Sequence, residues 1–107
     1  MIYLCVSTVS TDAAADLAKR LVEERLAACV NIVPGARSIY RWQGEVRDEA
    51  ESILLIKTSP RSLGGFEERF AALHPYDCPE LLFIPIEEGM KEYMNWVEDM
   101  TAPGGPR

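Results

Sequence analysis

CVNIVPGARSIYRWQGEVRDEAESILLIKT, residues 29–58, is the stretch that decides the fold. Its two halves, Cys29–Trp42 and Glu45–Thr58, are rich in β-branched and aromatic residues and predict two strands. The Gln43–Gly44 dipeptide between them fits a two-residue hairpin turn, because glycine accepts the positive φ that such a turn requires. The Pro34–Gly35 dipeptide predicts a kink or bulge in the first strand. The stretch therefore predicts one long antiparallel hairpin.

The length and the apolar pattern of this hairpin predict an oligomer. Strands of about 12 residues are ~40 Å long, whereas a domain of about 100 residues has a radius of gyration of only ~13 Å. We therefore expect the hairpin tip to project beyond its own subunit. Residues 53–56 are apolar in succession, and so are residues 81–84. Since successive strand residues point to opposite faces, both faces of the sheet require burial, and a homo-oligomer that packs sheet against sheet provides it.

The flanking segments predict two more strands and three helices: a strand at Ile2–Ser7, a helix over residues 10–28, a helix over residues 59–73, a strand at Leu81–Ile86 and a helix from about Met90. The order is β-α-β-β-α-β with a C-terminal helix. This is the α+β, ferredoxin-like arrangement, in which helices cover one face of an antiparallel sheet. Residues 1–100 are predicted to form a single domain, and residues 101–107, TAPGGPR, a flexible tail.

Composition excludes several classes of protein. Eleven Lys and Arg against 17 Asp and Glu, a formal net charge of -6, give no basic excess for nucleic acid. An acidic surface suits cations, although it more often only keeps a protein in solution. No apolar run approaches the ~20 residues of a membrane span, and none resembles a signal peptide. The three cysteines are scattered and odd in number, which indicates free thiols in a reducing cytosol.

The motif HPYDCPE, residues 74–80, holds the chain's one histidine and admits two interpretations. In the first it is a turn: Pro75 stops the second helix, and a cationic His74 interacts favourably with the helix dipole. In the second it is a metal site, because imidazole and thiolate both suit copper and a loop could bring His74 and Cys78 together. The prolines exclude a helical arrangement of the two side chains.

Four segments, RLAACVNIVPGARSIYRWQGEV (25–46), SILLIKT (52–58), HPYDCPELL (74–82) and YMNWV (93–97), closely resemble the divalent-cation tolerance protein CutA family. The resemblance runs through nearly the whole chain. It implies a PII-like homotrimer of ferredoxin-like subunits, with a link to copper and other divalent cations. It does not imply an established enzymatic reaction, and no organic cofactor is expected.

The resemblance also bears on the cysteines. Cys5 and Cys29 match positions implicated in the family's metal binding, although each also suits a small hydrophobic residue in the core. The HPYDCPE residues that the family shares are His74, Pro75, Tyr76, Pro79 and Glu80. The family commonly has an apolar residue or threonine where this chain has Cys78, so the resemblance gives Cys78 no role.

Two further groups are candidate sites. Glu45, Asp48 and Glu49, together with Glu51, form an acidic run near the hairpin tip that suits either solvent or a weakly bound cation. The second group matches recurrent family positions and suits either subunit contacts or a ligand cleft between subunits: Arg41, Trp42, Lys57, Tyr76, Glu80 and Trp96.

Two functions follow as hypotheses. The first is a trimeric, cytoplasmic protein that binds copper or another divalent cation and responds to it. The second is a PII-like sensor that binds an anionic small molecule or nucleotide between subunits, with Arg41 and Lys57 available for the anion. An enzyme using Cys78 as nucleophile and His74 as base is a distant third, because nothing in the sequence orients that base.

Overall fold

The computed structural model describes residues 1–104. Its elements are β1 (Ile2–Val9), α1 (Thr11–Glu23), β2 (Cys29–Trp42), β3 (Glu45–Thr58), α2 (Phe66–Leu73), β4 (Leu82–Ile86) and α3 (Lys91–Thr101), with a 3₁₀ turn at Pro60–Ser62. The four strands form one antiparallel sheet in the order β2-β3-β1-β4. This confirms the predicted α+β, ferredoxin-like arrangement.

The hairpin forms as its sequence predicts. Gln43 and Gly44 both have positive φ, 49° and 82°, so the turn matches the right-handed twist of the strands it joins. The register between β2 and β3 shifts between Val33 and Ala36, where Gly35 has a φ of 86°. This shift is the predicted bulge. The molecule measures 44 × 26 × 21 Å, and its 44 Å long axis agrees with a projecting hairpin.

Two helices differ from their predicted bounds. The first was predicted to reach about Ala28, but α1 ends at Glu23, because Arg25 adopts a left-handed conformation with a φ of 59°. The second was predicted from Ser59. The 3₁₀ turn forms there instead, and α2 begins at Phe66, after Gly65 with a φ of 80°. The periodic spacing of apolar residues continues past Arg25 and Gly65, where the backbone leaves the helical conformation. The spacing therefore places the end of α1 too late and the start of α2 too early.

The main core lies between the sheet and helices α1 and α2. Cys5, Leu21, Ile56, Phe66 and Phe70 are among its fully or almost fully buried members. It uses one face of the sheet, on which β1 and β3 contribute alternate residues.

The opposite face is covered only in part. The expectation that helices cover one face alone is wrong, because α3 packs Met94 and Val97 against Ile2 at one end of the second face. Elsewhere on the same face Leu82 and Ile84, which pair with Val6 and Leu4, remain 56% and 44% exposed. We call the part of this sheet face that α3 leaves uncovered the open face.

The boundary of the predicted tail changes by one residue. Thr101 was assigned to the tail, but it is the last residue of α3 and is 2% exposed. Its hydroxyl bonds with that of Ser59 at 2.6 Å, and the Ser62 hydroxyl donates to its carbonyl oxygen at 3.0 Å. The remainder of the predicted tail includes residues 105–107, which lie outside the described residues.

Candidate functional site

The loop between α2 and β4 is built around His74. His74 ends α2 with extended backbone angles, as a residue before proline favours, and its side chain is 5% exposed. The backbone N–H of Tyr76 donates to Nδ1 of His74 at 3.1 Å. Because Nδ1 accepts this bond, the ring proton lies on Nε2, which donates to the carbonyl oxygen of Thr8 at 2.9 Å.

Both nitrogens of His74 are therefore engaged in holding the loop to the end of β1. The ring also lies against the rings of Phe70 and Tyr76, with centroid separations of 5.5 and 4.6 Å. A metal ion at either nitrogen would have to replace one of the two hydrogen bonds. Equally, a cationic ring would set a second N–H against that of Tyr76. The geometry favours the turn interpretation of HPYDCPE, with a neutral ring in place of the cationic one expected at the helix end.

Tyr76 joins this loop to the hairpin. Its hydroxyl donates to Oε2 of Glu51 at 2.7 Å, and Glu51 is only 6% exposed. Burial, followed by the hydrogen bond to Glu51, raises the pKa of Tyr76 above its ordinary value. The two residues are 25 positions apart, and the sequence had placed Glu51 only in the acidic run of the hairpin.

A cleft of about 690 Å³ lies between this loop and the projecting part of the hairpin. We call residues 36–51 the hairpin arm. Three aromatic side chains line the cleft, together with four carboxylates and one guanidinium: Tyr40, Trp42, Tyr76, Glu49, Glu51, Asp77, Glu80 and Arg47. Cys78 also lines it. The lining is therefore acidic and aromatic.

The cleft unites some of the predicted site residues and leaves others out. Trp42, Glu49, Tyr76, Cys78 and Glu80 line it. The cleft includes Tyr40 and Arg47, which sequence reasoning missed. A signal for them existed, because a two-residue turn fixes the register and therefore sets Tyr40 opposite Arg47.

Arg41 and Lys57, the predicted anion ligands, line no part of this cleft. Arg41 lies between Tyr40 and Trp42 in β2 and pairs with Val46. Because successive strand residues point to opposite faces, Arg41 points to the other face of the hairpin arm. The Lys57 amino group instead donates to Oδ1 of Asn31.

The predicted acidic cluster does not form a single group. Asp48 alternates with Glu49 along β3 and points to the opposite face. Arg37 holds Asp48 through two hydrogen bonds of 2.8 and 2.6 Å, which lower the pKa of Asp48. Glu45 lies 3.8 Å from the guanidinium of Arg47. Within residues 1–104, no three His, Cys, Asp or Glu side chains are grouped to hold a metal ion.

The three cysteines lie in three different environments. Cys5 is fully buried in the main core, and burial raises the pKa of its thiol to about 12. Cys5 pairs with Ile56, whereas Cys29 pairs with the next residue, Lys57, so the two thiols lie on opposite faces of the sheet. Cys78 is exposed in the loop. Cys5 and Cys29 therefore cannot bind one metal ion within a subunit.

Cys29 lies on the open face among polar neighbours. Its sulfur is 3.9 Å from Oδ1 of Asn31, the atom to which Lys57 also donates. Burial, followed by the proximity of Cys29, raises the pKa of Tyr93. Tyr93 in turn lies beside Trp96, with ring centroids 5.7 Å apart. Asn31 thus lies between Cys29 and Lys57, and Tyr93 lies between Cys29 and Trp96. The sequence did not single out Asn31 or Tyr93 as site members.

Two comparisons of sequence identify relatives. The family model described as CutA1 divalent ion tolerance protein matches residues 2–100. The divalent-cation tolerance protein CutA of Thermus thermophilus is 52% identical over 97 residues, which cover 91% of this chain and 94% of that protein. The chloroplastic protein CutA of Arabidopsis thaliana is 41% identical over 100 residues, 94% of this chain but 55% of that protein. The chain thus spans about half the length of the plant relative.

Solved structures give the same result. The divalent cation tolerance protein (Cut A1) from Thermus thermophilus superposes with a TM-score of 0.88 at 51% identity, over 95% of this chain and all of that one. The PII-like protein CutA from Nostoc sp. PCC 7120, in apo form, gives a TM-score of 0.86 at 34% identity, over 94% of this chain and 97% of that one. No helix among residues 1–104 is both long and apolar enough to cross a bilayer.

Proposed function

Because the chain belongs to the CutA1 divalent ion tolerance protein family, which it matches over residues 2–100, we propose that it binds a divalent cation, copper in the first instance, and acts through binding instead of through catalysis. The family match is the observation that carries this proposal. The structure contributes by narrowing the choice of residues that could contact the cation.

Cys29 is the thiol best suited to this role. Thiolate sulfur is a preferred ligand of copper. Cys5 is unsuitable, because burial raises the pKa of its thiol to about 12 and its neighbours are core side chains. Cys29 is partly exposed on the open face, beside the Asn31 amide oxygen and the Tyr93 hydroxyl. One thiol makes a poor site alone, so further ligands would come from neighbouring subunits.

A homotrimer would supply those neighbours. The support is the open face, where Val33, Leu82 and Ile84 are 42%, 56% and 44% exposed in a single subunit. Large apolar side chains left exposed on one face in this way are typical of a protein–protein interface. We also propose a reducing, cytoplasmic location, which three free cysteines support.

No observation favours the two other functions considered. An anionic ligand or nucleotide would meet four carboxylates and one guanidinium in the cleft, while Arg41 and Lys57 lie elsewhere. An enzyme with Cys78 as nucleophile would require His74 as its base. Both nitrogens of His74 already form hydrogen bonds, so the base has no free position.

Calorimetric titration with Cu(II) and Zn(II), under conditions that keep the thiols reduced, tests the proposal. We expect Cys29→Ser to weaken copper binding at least tenfold, ~1.4 kcal/mol, and Cys78→Ser, the matched control, to stay within about threefold. ATP titrated into the same protein should give no heat of binding. Nucleotide binding with indifference to both metals would overturn the proposal in favour of the PII-like sensor.

A further inference from the structure

The cleft between the hairpin arm and the α2–β4 loop combines two features that recognise organic cations. Its volume of about 690 Å³ falls within the range of small-molecule sites, roughly 300–1,000 Å³. Tyr40 and Trp42 line it from β2, and Tyr76 lines it from the loop. Aromatic faces attract ammonium groups through the ring quadrupole. Carboxylates from both sides complete the lining.

Of these carboxylates, Glu51 gives the strongest indication of a bound cation. It lines the cleft, it is 6% exposed, and no lysine or arginine forms an ion pair with it among residues 1–104. Its one hydrogen bond there comes from the Tyr76 hydroxyl to Oε2. A buried carboxylate without a countercharge is costly. An ammonium group in the cleft would provide the missing charge.

The charges of the side chains that line the cleft also favour a bound cation. Glu49, Asp77 and Glu80 add three more carboxylates, against the single guanidinium of Arg47. Burial, followed by the nearby carboxylate of Glu49, raises the pKa of Tyr40. The electrostatic environment thus disfavours added negative charge and favours a cation.

We propose that this cleft binds a small aliphatic amine, a cation with one or more ammonium groups on an apolar carbon chain. The aromatic walls distinguish such a ligand from a bare metal ion, which prefers a compact set of oxygens. No such set of three or more ligating side chains exists within the described part of the chain. The site is separate from the proposed copper contact, because Cys29 does not line the cleft.

The test compares two molecules of equal length, 1,4-diaminobutane and 1,4-butanediol, by calorimetry on the full chain. We expect the diamine to bind with a Kd below about 1 mM, ~4.1 kcal/mol, and the neutral diol to give no binding. Tetramethylammonium, which cannot donate a hydrogen bond, reports on the aromatic walls alone. Its binding should weaken at least tenfold in Trp42→Leu.

Three variants separate the cleft from general charge effects. Glu51→Gln keeps the shape of the side chain and an acceptor for Tyr76 but removes the charge, and should weaken diamine binding at least tenfold. Glu49→Gln, at an exposed position of the cleft, should weaken it in the same direction and does not disturb a buried group. Glu67→Gln, an exposed charge in the first turn of α2, is the matched control and should stay within about twofold.

Absence of diamine binding, equal binding of the diol, or unchanged affinity in both Glu49→Gln and Glu51→Gln would each overturn the proposal. Far-ultraviolet circular dichroism identifies any variant that fails to fold. If Glu51→Gln fails in this way, Glu49→Gln and Trp42→Leu decide the outcome. Removal of Cys29 should leave diamine affinity unchanged, so the result is distinguishable from the outcome of the copper titration.

Discussion

The hydroxyl of Tyr76 donates to Oε2 of Glu51 at 2.7 Å and closes the α2–β4 loop onto a buried carboxylate of the hairpin. His74, two residues earlier in the same loop, bonds to the carbonyl oxygen of Thr8. Two polar contacts therefore hold the loop in place, one to β1 and one to β3. Both contacts lie beside the cleft, because Thr8, Glu51 and Tyr76 all line it.

The first prediction concerns this contact. Tyr76→Phe removes the only hydroxyl that bonds to Glu51 among the described residues and leaves a buried carboxylate oxygen without its donor. We expect the free energy of unfolding to fall by about 1–3 kcal/mol. Urea unfolding at a fixed protein concentration measures it. Tyr93→Phe, which loses a hydroxyl from a side chain that is 41% exposed, is the matched control and should change stability by less than about 0.5 kcal/mol.

The hairpin could be predicted from sequence because its determinants are local. The alternation of β2 and β3, the bulge at Pro34–Gly35 and the turn at Gln43–Gly44 depend on residues close together in the chain. Helix ends were predicted less well. The left-handed conformation of Arg25, which ends α1, is closed by backbone bonds from Leu26 and Ala27 to Leu21, and periodicity contains no signal for it.

The candidate site was predictable only in part, for a similar reason. HPYDCPE could be recognised as a turn because proline restricts its own backbone and that of the residue before it. The partner of Tyr76, however, lies 25 residues away on the hairpin, and the partner of His74 lies 66 residues away in β1. Such contacts are set by the packing of the whole chain. Sequence patterns give the residue types available for these contacts but not the pairs.

The second prediction separates a structural His74 from a metal ligand. His74→Ala removes the imidazole donor to the Thr8 carbonyl oxygen, which the Ser7 hydroxyl also approaches at 3.4 Å, and leaves the part-buried Tyr76 N–H without its acceptor. We expect a loss of stability of about 1–3 kcal/mol, because one largely buried donor is left unsatisfied. An interaction with the helix dipole alone would cost only about 0.3–1 kcal/mol.

Copper affinity in the folded His74→Ala variant should stay within about threefold of the parent protein. His74→Gln, whose amide can donate to Thr8, should recover part of the lost stability. A small change in unfolding free energy combined with a tenfold loss of copper affinity would show that His74 ligates the metal.

The third prediction follows from the buried thiol. The folded state raises the pKa of Cys5 from 9.0 to about 12, so it binds the thiol proton more tightly than the unfolded chain does. The resulting stabilisation is fully present below pH 9 and is lost as the pH rises towards 12. The raised pKa of Tyr76 acts in the same direction at alkaline pH. We therefore expect Tm to fall progressively above about pH 9.

Cys5→Ala should flatten this alkaline fall in Tm, whereas Cys78→Ala, at an exposed position, should leave it unchanged. Thermal melts of the three proteins, from about pH 8 to the alkaline limit of reversibility, provide the measurement. Alkylation gives an independent check. In the native state iodoacetamide should modify Cys78 first and Cys5 only after unfolding, and rapid native modification of Cys5 would contradict its burial.

The last prediction concerns the open face and the proposed trimer. Leu82 is 56% exposed on β4 and pairs with Val6 on the same face. If a neighbouring subunit covers this face, Leu82→Asp buries a charge in the interface, which costs several kcal/mol per ion. If the face is open to water, the same substitution is nearly neutral, within about 0.5 kcal/mol. We expect the parent protein to sediment as a trimer of 12.0 kDa chains and the variant as a smaller species that retains its secondary structure.

Val22→Asp, at a position of similar exposure, 42%, on α1, is the control for added charge and should remain trimeric. A parent protein that sediments as a single chain, or a Leu82→Asp variant that stays trimeric with an unchanged Tm, would show that the open face is not the subunit interface.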